Sequence, residues 1–248
     1  MPKHYARRLT SPNRTPSSDR HLGCILAAIA GASNAIGFGV LRHYTSHMTG
    51  MVSTLGERMV SGDVLLSAAA AVAIATFLFG AACCTVMVRE ARRRGLDAAF
   101  ALPLLLESLL LLLVALVAPA GPMASSAATW ATIGTLTFAM GLQNALITKI
   151  SRGEIRTTHV TGIVTDLGIE FGRGWASWPD GGSQTYGRQR AGLLAALLVS
   201  FIAGSVLGTL GARVEGRLAF LPPSLALAVV ALVPAVDDLG RWRDTHAG

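Results

Sequence analysis

Residues 31–56 read GASNAIGFGVLRHYTSHMTGMVSTLG, and residues 141–168 read GLQNALITKISRGEIRTTHVTGIVTDLG. Gly31, Asn34 and Ala35 match Gly141, Asn144 and Ala145. Thr45, His47, Thr49 and Gly50 match Thr157, His159, Thr161 and Gly162 after a two-residue insertion in the second copy. Leu55 and Gly56 then match Leu167 and Gly168. Agreement at this many spaced polar and glycine positions marks an internal duplication, and the rest of the chain arranges itself around the two copies.

Of the 248 residues, 52% are hydrophobic and only 14% are charged, against roughly 25% charged in soluble domains. The charges cluster and leave long uncharged runs, the pattern of a polytopic membrane protein. A net charge of +7 would suggest nucleic acid in a soluble chain. Here topology accounts for it, and no nucleic-acid partner is expected. Cys24, Cys83 and Cys84 fall in apolar runs without metal-ligand or disulfide spacing and read as small packing residues.

A basic leader, 1–21, precedes an apolar run at 22–41, long enough at about 1.5 Å per residue to cross a hydrocarbon core of about 30 Å. The run resembles a signal peptide, but its counterpart in the second copy is internal, so a retained helix is expected. Gly23, Ala27, Gly31, Ala35 and Gly39 recur every fourth residue, a stripe that lets helix backbones approach closely. Further spans are expected at 64–88, 98–118, 129–148, 191–212 and 218–236, with Asp97 capping the third. Gly204, Gly208 and Ala212 form a second stripe in the fifth. The expected fold is all-α: six transmembrane helices as two three-helix repeats, 22–118 and 129–236, with a linker at 119–128 and a cytoplasmic tail at 237–248.

With the amino terminus inside, every one of the 21 Lys and Arg residues except Arg42, Arg58, Arg213 and Arg217 lies on a cytoplasmic segment, as the positive-inside rule requires. Both termini are therefore expected in the cytoplasm, and the bacterial inner membrane is the expected location. Three spans per copy, an odd number, turn the second repeat upside down relative to the first. Inverted repeats of this kind place transporter substrate sites at their interface near the midplane.

In each copy the Thr-Gly pair precedes a short, mildly apolar stretch, 51–60 or 163–171. Thr49 and Thr161 are expected to cap these short helices, and Gly50 and Gly162 to permit a sharp bend. A helix amino terminus suits an anion, and His47 and His159 are placed to complete such a site. The other reading is that both motifs are turn-and-cap devices. Asn34, Gln143 and Asn144 lie within spans, where polar groups either bond between helices or line a path. Glu107 sits in the middle of the third span, either as a proton-coupling carboxylate or as a packing residue, and its counterpart near Ala226 is apolar. Asp166 replaces Thr54 in the second short helix and reads as a ligand or as a first-turn acid. No phosphate loop, nucleophile elbow or zinc-binding helix is present; no enzyme activity, metal or cofactor is expected.

The Asn-Ala span followed by His-x-Thr-Gly, then Thr-Thr-His-x-Thr-Gly and Thr-Asp-Leu-Gly, resembles the YoaK family of bacterial six-span membrane proteins, which carries a domain of unknown function. The likeness runs over about residues 22 to 236. It implies an inner-membrane protein, with a transporter role proposed for the family. Members often carry Asn where this chain has Met51, and Asp where it has Asn34.

The expected function is transport of a small solute, an organic anion among the candidates, by alternating access around the paired motifs. The alternative is a non-transporting scaffold or accessory subunit. The expected partners are the lipid bilayer, a small-molecule solute and a second copy of the chain, docked through the glycine stripes of the first or fifth span.

Overall fold

The computed structural model describes residues 15–118, 126–175 and 184–246. Helix α1 (Pro16–Leu41) opens on Thr15, whose hydroxyl accepts from the Ser18 amide, with proline in the first turn. Both are helix-start signals. It ends at Arg42, in the left-handed region at φ 59°. Then follow α2 (Met48–Val60) and α3 (Val64–Arg93). Asp63 caps α3 by accepting from the Leu66 amide at 3.0 Å. A 3-10 turn (Asp97–Phe100) leads into α4 (Ala101–Val117). The second half repeats the order: α5 (Ser126–Ile150), α6 (Val160–Trp175), α7 (Gln184–Glu215), a 3-10 turn (Gly216–Phe220) and α8 (Leu221–His246). Arg152, equivalent to Arg42, is left-handed as well, at φ 55°.

The chain is all-α. Three described stretches are long and apolar enough to cross a membrane: Ser17–Leu41, Val64–Arg93 and Gly187–Leu232. The last is broken by the second 3-10 turn, and Ala101–Val117 is a shorter apolar helix. Helix α5 carries Thr129, Thr132, Thr135, Thr137, Gln143 and Asn144 and is less apolar. It is also among the most enclosed helices, with Leu136, Ala139, Met140, Leu142, Leu146 and Ile147 fully buried. A helix wrapped by protein needs no lipid-compatible face.

The two halves interlock. Helix α1 packs on α7 of the other half, and α5 packs on α3. Along α1, positions 23, 28, 32 and 39 meet 197, 204, 208 and 212 of α7 in rising order, so the two helices run parallel. Along α3, Ala73 lines one cavity with Ile133 of α5, Thr76 bonds to Thr137 and Gly80 lies against Leu142, again in rising order, so this pair is parallel too. Exchanging the halves maps one pairing onto the other. A side chain on Gly31 would strike the Phe201 carbonyl, and one on Gly141 the Phe77 carbonyl; Gly204 and Gly80 are closed off in the same way by Ala28 and Phe138. The exchange also equates Thr76-Phe77-x-x-Gly80 with Ser200-Phe201-x-x-Gly204. Helices α4 and α8 meet across the middle, where Ser108 Oγ donates to the Ser224 carbonyl at 2.8 Å and Ser224 Oγ to the Ser108 carbonyl at 2.9 Å.

Several boundaries differ from the sequence reading. Asp97 does not cap α4; it begins the 3-10 turn, and the helix starts after Phe100. The region 237–246, expected as a tail, continues α8. Most of the linker falls outside the described residues, as do 1–14 of the leader. The glycine stripes of the first and fifth spans face each other inside the chain, so they are not free to dock a second copy. Large apolar side chains that remain exposed lie mainly on α3, α4, α7 and α8, among them Leu78, Phe79, Leu113, Leu116, Ile202, Leu207, Leu225 and Val229. Contiguous apolar surface on this scale is a lipid or protein interface. Exposed threonines on these helices, such as Thr85 and Thr209, return their hydroxyls to the carbonyl four residues back.

Candidate functional site

Each short helix begins one residue before its Thr-Gly pair. Thr49 and Thr161 are exposed first-turn residues rather than caps. The capping position of α2 belongs to His47, which makes no side-chain capping bond; its carbonyl accepts from the Met51 amide at 3.1 Å, as the His159 carbonyl does from Ile163. The glycine has a steric cause. A Cβ on Gly50 would meet His47 Nε2 at 2.6 Å, and one on Gly162 would meet His159 Cε1 at 2.5 Å. His-x-Thr-Gly thus folds an imidazole over the first helical turn, and a side chain in place of the glycine would have to displace that ring.

Asn34 and Asn144 hold the loops that precede these turns. Asn34 Oδ1 accepts from the Thr45 amide at 2.9 Å and from the Ser46 amide and hydroxyl, each at 3.2 Å. Asn144 Oδ1 accepts from Thr158 Oγ1 at 2.7 Å, and its amide group donates to the Met140 carbonyl at 2.8 Å. Thr45 and Thr157 sit fully buried beneath the loops. Gln143 is buried too, donating to the Leu26 carbonyl of α1 at 2.7 Å. Glu107 is fully buried, and neither carboxyl oxygen has a hydrogen-bond partner among the described residues.

The structure does not bring the two motifs together. The first loop sits against Trp130, near the start of α5, with the His43 and Trp130 rings edge to face at 5.4 Å. The second loop follows Ile150, at the other end of α5. At about 1.5 Å per residue the two lie about 30 Å apart. Among the described residues, no group of three His, Cys, Asp or Glu side chains is placed to hold a metal ion.

Residues 22–233 match a family described as protein of unknown function, DUF1275. The chain belongs to the DUF1275 family. Neither a curated protein nor a solved structure matches it.

The two ends of this DUF1275 chain differ. At the first motif a cavity of about 270 Å³ opens between the loop, α2, α3 and α5. Arg42, Tyr44 and His47 line its mouth, and Ala69, Ala70, Ala73 and Ile133 its inner wall, with Trp130 alongside. The interlocked packing equates these alanines with Leu193, Leu194 and Leu197 of α7. Leu194 and Leu197 are buried, and Ile155 and Leu197 close over Gly23, the equivalent of Ile133. Thr54 and Leu66, which line the first cavity, correspond to Asp166 and Arg190, which form a 2.9 Å ion pair between α6 and α7. Among the described residues, the first end holds a cavity, and leucine and isoleucine side chains fill its counterpart. Arg42, Tyr44, Trp130 and the three alanines were absent from the sequence-derived site. Aligning the Phe77 and Phe201 segments would have exposed the Ala-for-Leu exchange.

Proposed function

We propose that this DUF1275 chain is a six-span inner-membrane transporter of a small solute, built from two inverted repeats. The observation that carries the reading is the exchange of halves: α1 on α7 and α3 on α5, each pair parallel. Alternating spans require that sense for the first with the fifth and the second with the fourth. The charge distribution supports it. Arg89, Arg92 and Arg93 lie in the last turns of α3 with Arg94 capping it, Lys149 lies in the last turn of α5 with Arg152 just beyond, and Arg188 and Arg190 lie near the start of α7, all toward the end expected to be cytoplasmic. The likeness to YoaK proteins, read from the same motifs, belongs to this proposal.

The open first end and packed second end suit one conformation of an alternating-access cycle. Ala73, on the inner wall of the cavity, is the position to test. In a chain with Cys24, Cys83 and Cys84 replaced, Ala73→Cys should react with an impermeant thiol reagent from the periplasmic side. A transporter should also expose it to the cytoplasmic side in part of the population. Strictly one-sided labelling under every condition would sink the transport reading.

A scaffold reading draws on one observation, the loop-holding bonds of Asn34 and Asn144, which need no solute. It predicts that the Ala73→Cys labelling rate is independent of any small molecule.

A further inference from the structure

We infer that the cavity at the first motif binds a small apolar carboxylate, and that the second half of the duplication has lost the equivalent site. Binding rests on the cavity alone; what becomes of the bound molecule rests on the transporter reading.

Three features fix the ligand class. Arg42 lines the mouth, held in a left-handed conformation at the end of α1, and among the described residues no acidic side chain lines the cavity to neutralise it. A guanidinium beside a low-dielectric wall favours an anion, and a carboxylate matches its fork of donors. The interior is apolar: Ala69, Ala70, Ala73, Leu66 and Ile133 offer no hydrogen-bonding side chain. A hydrophilic anion such as phosphate would leave that wall wet and unmatched. Tyr44 stacks on Phe38 with ring centroids 4.4 Å apart, and the Trp130 indole is set by its edge contact with His43. Each ring therefore already has an aromatic neighbour before any ligand arrives, which limits the ordering cost of binding. The volume, about 270 Å³, lies just under the roughly 300–1,000 Å³ usual for ligand pockets and suits a molecule of modest size.

The second half is the internal control. Leucines fill the place of the three alanines, Ile155 closes over Gly23, and the Asp166–Arg190 pair occupies the positions of Thr54 and Leu66. The same backbone device thus exists with the cavity and without it, so the His-x-Thr-Gly turn does not itself require a cavity.

The test uses the full chain in nanodiscs, with phenylacetate, octanoate and phenethylamine as probes, followed by calorimetry and tryptophan fluorescence. Phenylacetate or octanoate should bind, and phenethylamine should bind at least about tenfold more weakly. Arg42→Gln should weaken carboxylate binding by at least about tenfold. Ala70→Leu with Ala73→Leu, copying the second half, should abolish binding while the thermal unfolding midpoint is kept. Where that double variant fails to fold, Ala73→Leu alone serves, with the same expected loss. Absence of binding by both carboxylates, equal binding of phenethylamine, or unchanged binding in the filled variant would overturn the inference. Uptake into proteoliposomes separates the two proposals. Binding without uptake refutes transport and leaves the site. Uptake of another solute, indifferent to cavity filling, with no carboxylate bound, does the reverse.

Discussion

Gly204 lies against the backbone of Ala28 so closely that any side chain on it would collide with the Ala28 carbonyl. Gly80 stands in the same relation to Phe138 on the other interlocked pair. Within a bilayer, helices gain nothing from leaving water, so close backbone packing is the main source of their association. These two crossings are where the halves clasp each other.

Substitution at either crossing should therefore be severe and equivalent. Gly80→Val and Gly204→Val should each abolish the monodisperse folded species in detergent, because backbone atoms must move to admit the side chain. Gly56→Ala, on an open face of α2, should instead be neutral or stabilising by up to about 1 kcal/mol. Size-exclusion profiles and thermal midpoints check both. Tolerance of Gly204→Val would refute the clasp.

The two asparagines predict opposite responses to the same change. Among the described residues Asn34 bonds through its oxygen, as a threefold acceptor, so Asn34→Asp should retain the loop. Asn144 also donates its amide to the Met140 carbonyl, so Asn144→Asp loses that bond, sets a carboxylate oxygen against the carbonyl oxygen, and should cost about 1–3 kcal/mol. Thermal unfolding of the two variants side by side decides it; equal losses would contradict these roles.

Glu107 is buried without a hydrogen-bond partner among the described residues. The ends of the two 3-10 turns, Phe100 and Phe220, set the register, and they align Glu107 with buried Leu227. Glu107→Leu removes a polar group whose bonds are unmade and should stabilise the fold by about 1–3 kcal/mol. A destabilised variant would mean that the carboxyl has a partner in the membrane. Loss of proton-driven uptake with raised stability would identify it as a coupling group.

Much of this architecture is legible in the sequence, and the part that is not has definite causes. Uncharged runs bounded by arginines mark the helices because lipid admits few charges, and the repeated His-x-Thr-Gly marks the duplication. Partnership between helices is not legible. The stripe through Gly31 says that a backbone comes close, but not that it belongs to Phe201 rather than to a second copy. Thr49 and Thr161 read as caps in the sequence because Thr caps helices in general; the geometry gives that position to the histidine two residues before. The cavity is not legible either, because Ala69, Ala70 and Ala73 are ordinary residues for a membrane helix until set beside Leu193, Leu194 and Leu197.

Packing, rather than the ion pair, should keep the second end closed. Asp166 and Arg190 are both partly exposed, and such pairs contribute about 0–1 kcal/mol, so Asp166→Ala should scarcely move the midpoint. Leu197→Ala empties a fully buried site and should cost about 2–5 kcal/mol. The reverse ranking, measured by denaturation in detergent, would mean that electrostatics closes that end.

The inverted topology is tested most directly by two single cysteines, His47→Cys and His159→Cys, in a chain with Cys24, Cys83 and Cys84 replaced. An impermeant thiol reagent is applied to intact cells and to inside-out vesicles. The account predicts labelling at position 47 from outside and at position 159 from the cytoplasmic face. Labelling of both positions from the same face would contradict it.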